Sequence, residues 1–123
     1  MIKFVRGKAG WKVELTTKGF AEFLTYETRE KLLKKTKYWD GKWHFLIFDI
    51  AEERKRIREQ VRRTLISFGF HRLQDSVWVF PYDCEEVLEL LRIKYGVRYE
   101  ALYLRADKLA KDKWLKQHFN LKN

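Results

Sequence analysis

Residues 42–50 read Lys42-Trp-His-Phe-Leu-Ile-Phe-Asp-Ile50, a run dense in aromatic and branched apolar side chains that starts after Gly41 and closes around a carboxylate. Such a run predicts a mostly buried β-strand. Glu52 and Glu53 suit the first turn of a helix, where the backbone N–H groups favour negative charge. Ile57, Val61, Thr64, Leu65 and Phe68 then recur at helical spacing until Gly69, which supplies a stop after the last turn. Phe70–Gln74 and Ser76–Tyr82 are two short strand runs around Gln74-Asp75-Ser76, and they read as a hairpin-like pair. In the second run Val77 and Val79 share one face with Pro81, while Trp78, Phe80 and Tyr82 share the other. Pro81 donates no ladder hydrogen bond, so it belongs near a strand end or an edge.

Asp83, with Glu86 three residues on, reads as a capping box. Val87, Leu88, Leu90, Leu91 and Tyr95 give the following helix its apolar face, and Gly96 ends it. Val97–Arg105 alternates again, with Val97, Tyr99, Ala101 and Tyr103 on one side. The order strand, helix, strand, strand, helix, strand predicts an α+β chain: a ferredoxin-like βαββαβ sandwich over residues 43–106, one sheet with both helices on a single face.

The flanks are simpler. Residues 1–42 divide into Lys3–Arg6 and Trp11–Thr16 around Gly7-Lys-Ala-Gly10, a small β-hairpin in which Val13 and Leu15 alternate with polar neighbours. Thr17 is placed to cap a helical stretch holding Phe20, Phe23, Leu24, Leu32 and Leu33, and a basic linker, Lys34–Lys37, follows. The hairpin and helix resemble the wing of a winged-helix domain without its recognition helix. Residues 107–123 form a C-terminal extension whose helix would pack through Leu109, Trp114, Leu115 and Phe119.

Composition narrows the function classes. A chain of 123 residues with 46% hydrophobic and 16% aromatic residues has enough apolar mass for a core. Apolar runs such as Phe45–Phe48 fall far short of the roughly 20 residues a membrane span needs. The opening Met1-Ile-Lys-Phe-Val-Arg6 has no signal-peptide pattern, so a soluble, cytoplasmic protein is expected, with no membrane partner. Cys84 is the only cysteine, which excludes an internal disulfide. His44, His71 and His118 show no ligand spacing and read as surface or edge residues. Lys and Arg number 27 against 17 Asp and Glu, a formal charge of +10 that suits a polyanionic partner.

Two features point to chemistry. Asp49 ends an apolar strand, where a carboxylate has no packing role. A single carboxylate holds a divalent ion weakly, but two subunits meeting on a two-fold axis would pair two copies, able to bind Mg²⁺ or Mn²⁺ at a phosphodiester. The alternative is that Asp49 caps the next helix or pairs with an arginine. The helix after it carries Arg54, Lys55, Arg56, Arg58, Arg62 and Arg63. With Ile57 toward the core, steps of about 100° place Arg54, Lys55, Arg58 and Arg62 on one flank, with Arg56 and Arg63 on the other. A basic stripe of this kind tracks nucleic-acid phosphates; the alternative is a solvated face partly paired with Glu53 and Glu59. Trp39, Trp43, Trp78 and Tyr82 would either stack on bases or fill the core.

Four ordered motifs carry a family likeness: Phe45-Leu-Ile-Phe-Asp-Ile50, Arg54-Lys-Arg-Ile-Arg58, Leu65-Ile-Ser-Phe-Gly69 and Gln74-Asp-Ser-Val-Trp78. Together they resemble the small endonuclease subunit of CRISPR adaptation, the Cas-two family. The resemblance implies a homodimer that binds duplex DNA and bridges integrase subunits during spacer acquisition, in some members with Mg²⁺-dependent nuclease activity. It places Asp49 at the catalytic and metal-binding aspartate, Arg56 and Arg58 among the helix arginines, and Ser76 and Trp78 in the Ser-Val-aromatic motif. Phe48 and Trp78 stand where that family usually has tyrosine and phenylalanine. Trp39-Asp-Gly-Lys-Trp43, Gly69–Val79 and Pro81-Tyr82 resemble still more closely the central domain of the PaaX transcriptional repressors, in which the same fold serves dimerisation and regulation without catalysis.

Overall fold

The computed structural model describes residues 2–7, 10–15, 17–34 and 38–121, with side chains from Lys18 onward. The expected linker at 35–37 and the side chains of the N-terminal hairpin lie outside the described residues. Strands β1 (Ile2–Gly7) and β2 (Gly10–Leu15) pair antiparallel, from Ile2 opposite Leu15 to Gly7 opposite Gly10. Helix α1 (Thr17–Lys34) follows. Then come β3 (Trp43–Phe48), a 3-10 turn at Glu52–Arg54, α2 (Lys55–Ser67), β4 (His71–Gln74), β5 (Val77–Phe80), α3 (Glu85–Tyr95), β6 (Ala101–Ala106) and α4 (Lys113–His118).

The four later strands form one antiparallel sheet in the order β4-β5-β3-β6. This is the ferredoxin-like arrangement expected from the element order, with β3 at its centre. Leu46 lies opposite both Trp78 and Tyr103, and Phe48 opposite Ala101, so these residues share the face that α2 and α3 cover. Beneath the helices, Leu46 and Phe48 meet Val61 and Leu65 of α2 and Val87, Leu90 and Leu91 of α3. Burying one such aliphatic side chain contributes about 1.5–3 kcal/mol. Leu24 and Leu32 bring α1 onto the same core; Lys31 pairs with Glu86 at 3.7 Å, and Arg29 reaches Ser67 at 3.1 Å.

Helices α2 and α3 end at the glycines that follow them. After α2, Gly69 has φ +92° and donates to the Ile66 carbonyl, while Phe70 donates to Leu65, which satisfies two end carbonyls in a Schellman motif. Gly96 closes α3 at φ +68°. The capping box is replaced by a shorter device: the Asp83 carboxylate accepts from the Glu85 N–H at 3.0 Å, and Glu86 serves the ion pair to α1.

The opposite sheet face is only partly covered. Trp39, Trp43, Phe45 and Val79 form a second core with Leu115 of α4, joined by Leu109 and Phe119. The indole N–H of Trp43 donates to Asp112 and that of Trp39 to the Lys42 carbonyl, both at 2.8 Å, so neither buried ring leaves a polar atom unsatisfied. Trp114, expected to pack, is half-exposed at the edge of His71. Further along this face Leu102 and Leu104 of β6 stay open, 62% and 43% exposed. β6 is also shorter than its alternating pattern: Tyr99 falls in the turn before it and is 97% exposed, because the chain after Gly96 first turns through residues 99–100.

Candidate nucleic-acid interface

The end of β3 is pinned from both sides. Phe48 N–H donates to the Ser76 carbonyl at 2.9 Å, and Asp49 N–H to the Glu100 carbonyl at 2.7 Å. The Asp49 carboxylate is exposed and has neither a hydrogen bond nor an ion pair among the described residues. It caps nothing: the 3-10 turn begins after Ala51 with no side-chain cap, and so does α2 after Arg54. A divalent ion takes several oxygen ligands, and no group of three or more His, Cys, Asp or Glu gathers among the described residues.

The six basic residues that follow divide by partner rather than by flank. Arg54 turns back onto the fold, where its guanidinium grips the Glu100 carboxylate and donates to the Tyr95 carbonyl at 3.1 Å. Its partners tie the start of α2 to the segment between α3 and β6, whose Glu100 carbonyl also accepts from the Asp49 N–H. Arg58 and Arg62 meet Glu52 and Glu59 only at 3.5 and 3.8 Å, beyond the 2.7–2.9 Å of a good charge-assisted bond. Lys55, Arg56 and Arg63 are exposed and make no ion pair among the described residues. The free charge of α2 thus lies on the side away from the core.

Between α2 and the β4–β5 hairpin opens a cleft of about 430 Å³. Its floor is apolar, from Phe48, Val61 and Trp78; Asp49 and Ser76 stand at one side and Arg58 and Arg62 line the helix wall. Five residues singled out in the sequence therefore converge here. A sixth, Arg72, joins them from β4, and no motif of the sequence singles it out. It lies opposite Trp78 in the hairpin register, with its guanidinium 5.9 Å from the indole centroid and hydrogen-bonded to the Asp75 carbonyl at 2.9 and 3.1 Å. Strand alternation held the signal, since a residue paired with Trp78 shares its face.

The aromatic residues resolve in favour of the core. Trp39, Trp43 and Trp78 are buried, and Tyr82 packs partly against both cores. His44 differs from its expected surface role: it is buried and hydrogen-bonded to the Tyr103 hydroxyl at 2.6 Å. The His71 and His118 rings meet at a tilt of 57° with centroids 4.5 Å apart and join β4 to the end of α4. Burial, then the neighbouring His118, holds the His71 pKa below its usual value.

The family model for the central Cas2-like domain of PaaX protein matches residues 36–117. The chain belongs to that family. The matched segment runs from just before β3 through most of α4, so it takes in the sheet, the cleft and the second core. Searches of the curated proteins and of the solved structures each found no significant match. No helix among the described residues is long and apolar enough to cross a membrane.

In this PaaX-type domain the Glu100 carboxylate holds Arg54, which makes the contact between the start of α2 and the segment before β6 sensitive to acid. Its carboxylate accepts from its own backbone N–H and from that of Arg98, at 3.0 Å for the latter; these bonds, then Arg54, hold its pKa below 4.5. The folded state therefore binds this proton more weakly than the unfolded chain. The stability contributed is fully present above about pH 4.5 and is lost as the pH falls through the lowered value. Urea unfolding followed from neutral pH downward is expected to show a steeper loss of midpoint in the native protein than in Glu100→Gln.

Proposed function

We propose that the chain is a homodimeric, nucleic-acid-binding module of the PaaX type, acting in regulation rather than as a free-standing endonuclease. The observation that carries this reading is the outer side of α2, where Lys55, Arg56 and Arg63 are exposed without ion pairs among the described residues. Beside them, Arg58 and Arg62 are only loosely paired at the rim of the cleft. Basic side chains free of local carboxylates release counterions from nucleic acid at little cost. Kinship with PaaX protein supports a regulatory role; kinship with Cas2 keeps integrase bridging during spacer acquisition as the alternative.

A second copy is the favoured occupant of the open sheet face. Leu102 and Leu104 are exposed beside Ile47 and Val77, and β6 has a free edge because only β3 pairs with it among the described strands. An exposed apolar edge strand invites pairing with another chain, and an isologous two-fold contact would cover both copies at once.

A second reading, hydrolysis of nucleic acid with Mg²⁺ or Mn²⁺, rests on the exposed Asp49 carboxylate that lacks a partner among the described residues. One chain supplies too few oxygens, so this reading needs the Asp49 of a second copy.

Three outcomes are expected. Arg56→Gln/Arg63→Gln should flatten the slope of log K against log salt for duplex DNA by about 1.8, at roughly 0.9 per lost phosphate contact, as read by fluorescence anisotropy. An unchanged slope would place the phosphate contacts elsewhere. Leu104→Glu should shift the mass by sedimentation equilibrium from dimer to the 15.1 kDa monomer; a native protein already monomeric removes the dimer. On the hydrolytic reading, Asp49→Asn abolishes both Mn²⁺ binding by calorimetry and metal-dependent cleavage. Cleavage equal to the native protein's, or none by either, leaves a purely binding module.

A further inference from the structure

We infer that the cleft between α2 and the β4–β5 hairpin is a pocket for the terminal phosphate of a nucleic-acid strand, with Arg72 supplying the wall opposite Arg58 and Arg62. The inference rests on the nucleic-acid reading above and names which part of the polymer this site takes.

Three guanidiniums line the cleft together with three carboxylates, Asp49, Glu59 and Asp75, and each guanidinium has only a distant carboxylate partner: Arg58 to Glu52 at 3.5 Å, Arg62 to Glu59 at 3.8 Å and Arg72 to Asp75 at 3.6 Å. Arg54, outside the cleft, is by contrast tightly paired with Glu100. At such lengths the pairs contribute little, and an incoming anion can replace them without leaving a buried charge. Arg72 is also pre-positioned. Two hydrogen bonds to the Asp75 carbonyl and the Trp78 ring beneath it fix the guanidinium plane before any ligand arrives. The Ser76 hydroxyl lies on the same lining and has no hydrogen-bond partner among the described residues, so it is available as a donor.

Shape and charge select a strand end. A volume of about 430 Å³ lies in the lower range of small-ligand sites and accommodates a single nucleotide, whereas a duplex can only lie across the rim. A phosphodiester inside the chain carries one charge and must have an exit at each side. A terminal monoester carries about −1.5 to −2 charges at pH 7 and three acceptor oxygens, which match three guanidiniums.

The test compares a short single-stranded oligonucleotide bearing a 5′-phosphate, the same strand with a 3′-phosphate, and the strand with hydroxyls at both ends, by fluorescence anisotropy at low salt. One phosphorylated strand should bind about tenfold more tightly than the hydroxyl strand, the worth of one hydrogen-bonded charge. Arg72→Gln and Arg62→Gln, on opposite walls, should each bring that ratio close to one. Arg63→Gln should weaken all three strands by a common factor and leave the ratio intact. Thermal melting checks that each variant folds, and Arg62, on the helix surface, keeps the test open if Arg72→Gln disturbs the hairpin. Equal binding of all three strands by the native protein, or a ratio that survives both cleft variants, overturns the pocket while sparing the general nucleic-acid reading. A mononucleotide that competes as well as the phosphorylated strand overturns the strand-end assignment in favour of a free-nucleotide site. Failure of all three strands to bind at low salt overturns both readings.

Discussion

Strand β3 is hydrogen-bonded along both edges, to β5 and to β6, and carries apolar side chains on both faces. A strand so placed has one allowed register, because a slip of one residue would exchange the side chains facing α2 and α3 with those facing α4. The position of its last residues follows. Phe48 and Asp49 are fixed by the Ser76 and Glu100 carbonyls, and the cleft opens where this strand stops. The basic helix α2 leaves from the same point, so fold and charge share one origin.

Much of this was legible in the sequence because it depends on local pattern. The period of Ile57, Val61, Leu65 and Phe68 gave α2, and Gly69 and Gly96 marked ends that need positive φ. The sheet's two faces followed from the alternation of Val77 and Val79 with Trp78 and Phe80. Contacts between distant segments were not legible. A helical wheel shows Arg54 on a basic flank, but nothing local reveals that Glu100 waits for it. Tyr99 fits the alternation that starts at Val97, yet the turn before β6 takes that residue out of register. His44 lacked any sign of the Tyr103 hydroxyl that satisfies it.

The two families suggested by the motifs share one scaffold, and the differences that matter are small. A carboxylate that ends β3 without a partner and a helix whose outward charges are free are compatible with either chemistry. Here the second core is informative. Trp39, Trp43 and Leu115 bind the segment before β3 to the helix after β6, both within the stretch matched to PaaX protein. That packing covers part of one sheet face and leaves Leu102 and Leu104 exposed further along it.

The central place of β3 also has a cost in time. Its six residues, Trp43-His-Phe-Leu-Ile-Phe48, combine strong strand preference with no charge and no proline, the composition of an aggregation-prone segment. Both strands that shield it are encoded later, and β6 ends only at Ala106. At a synthesis rate of roughly 5–20 residues per second, a nascent chain carries this bare strand for several seconds before its last partner emerges. The same strand that organises the finished domain is thus its most vulnerable stretch while it is being made.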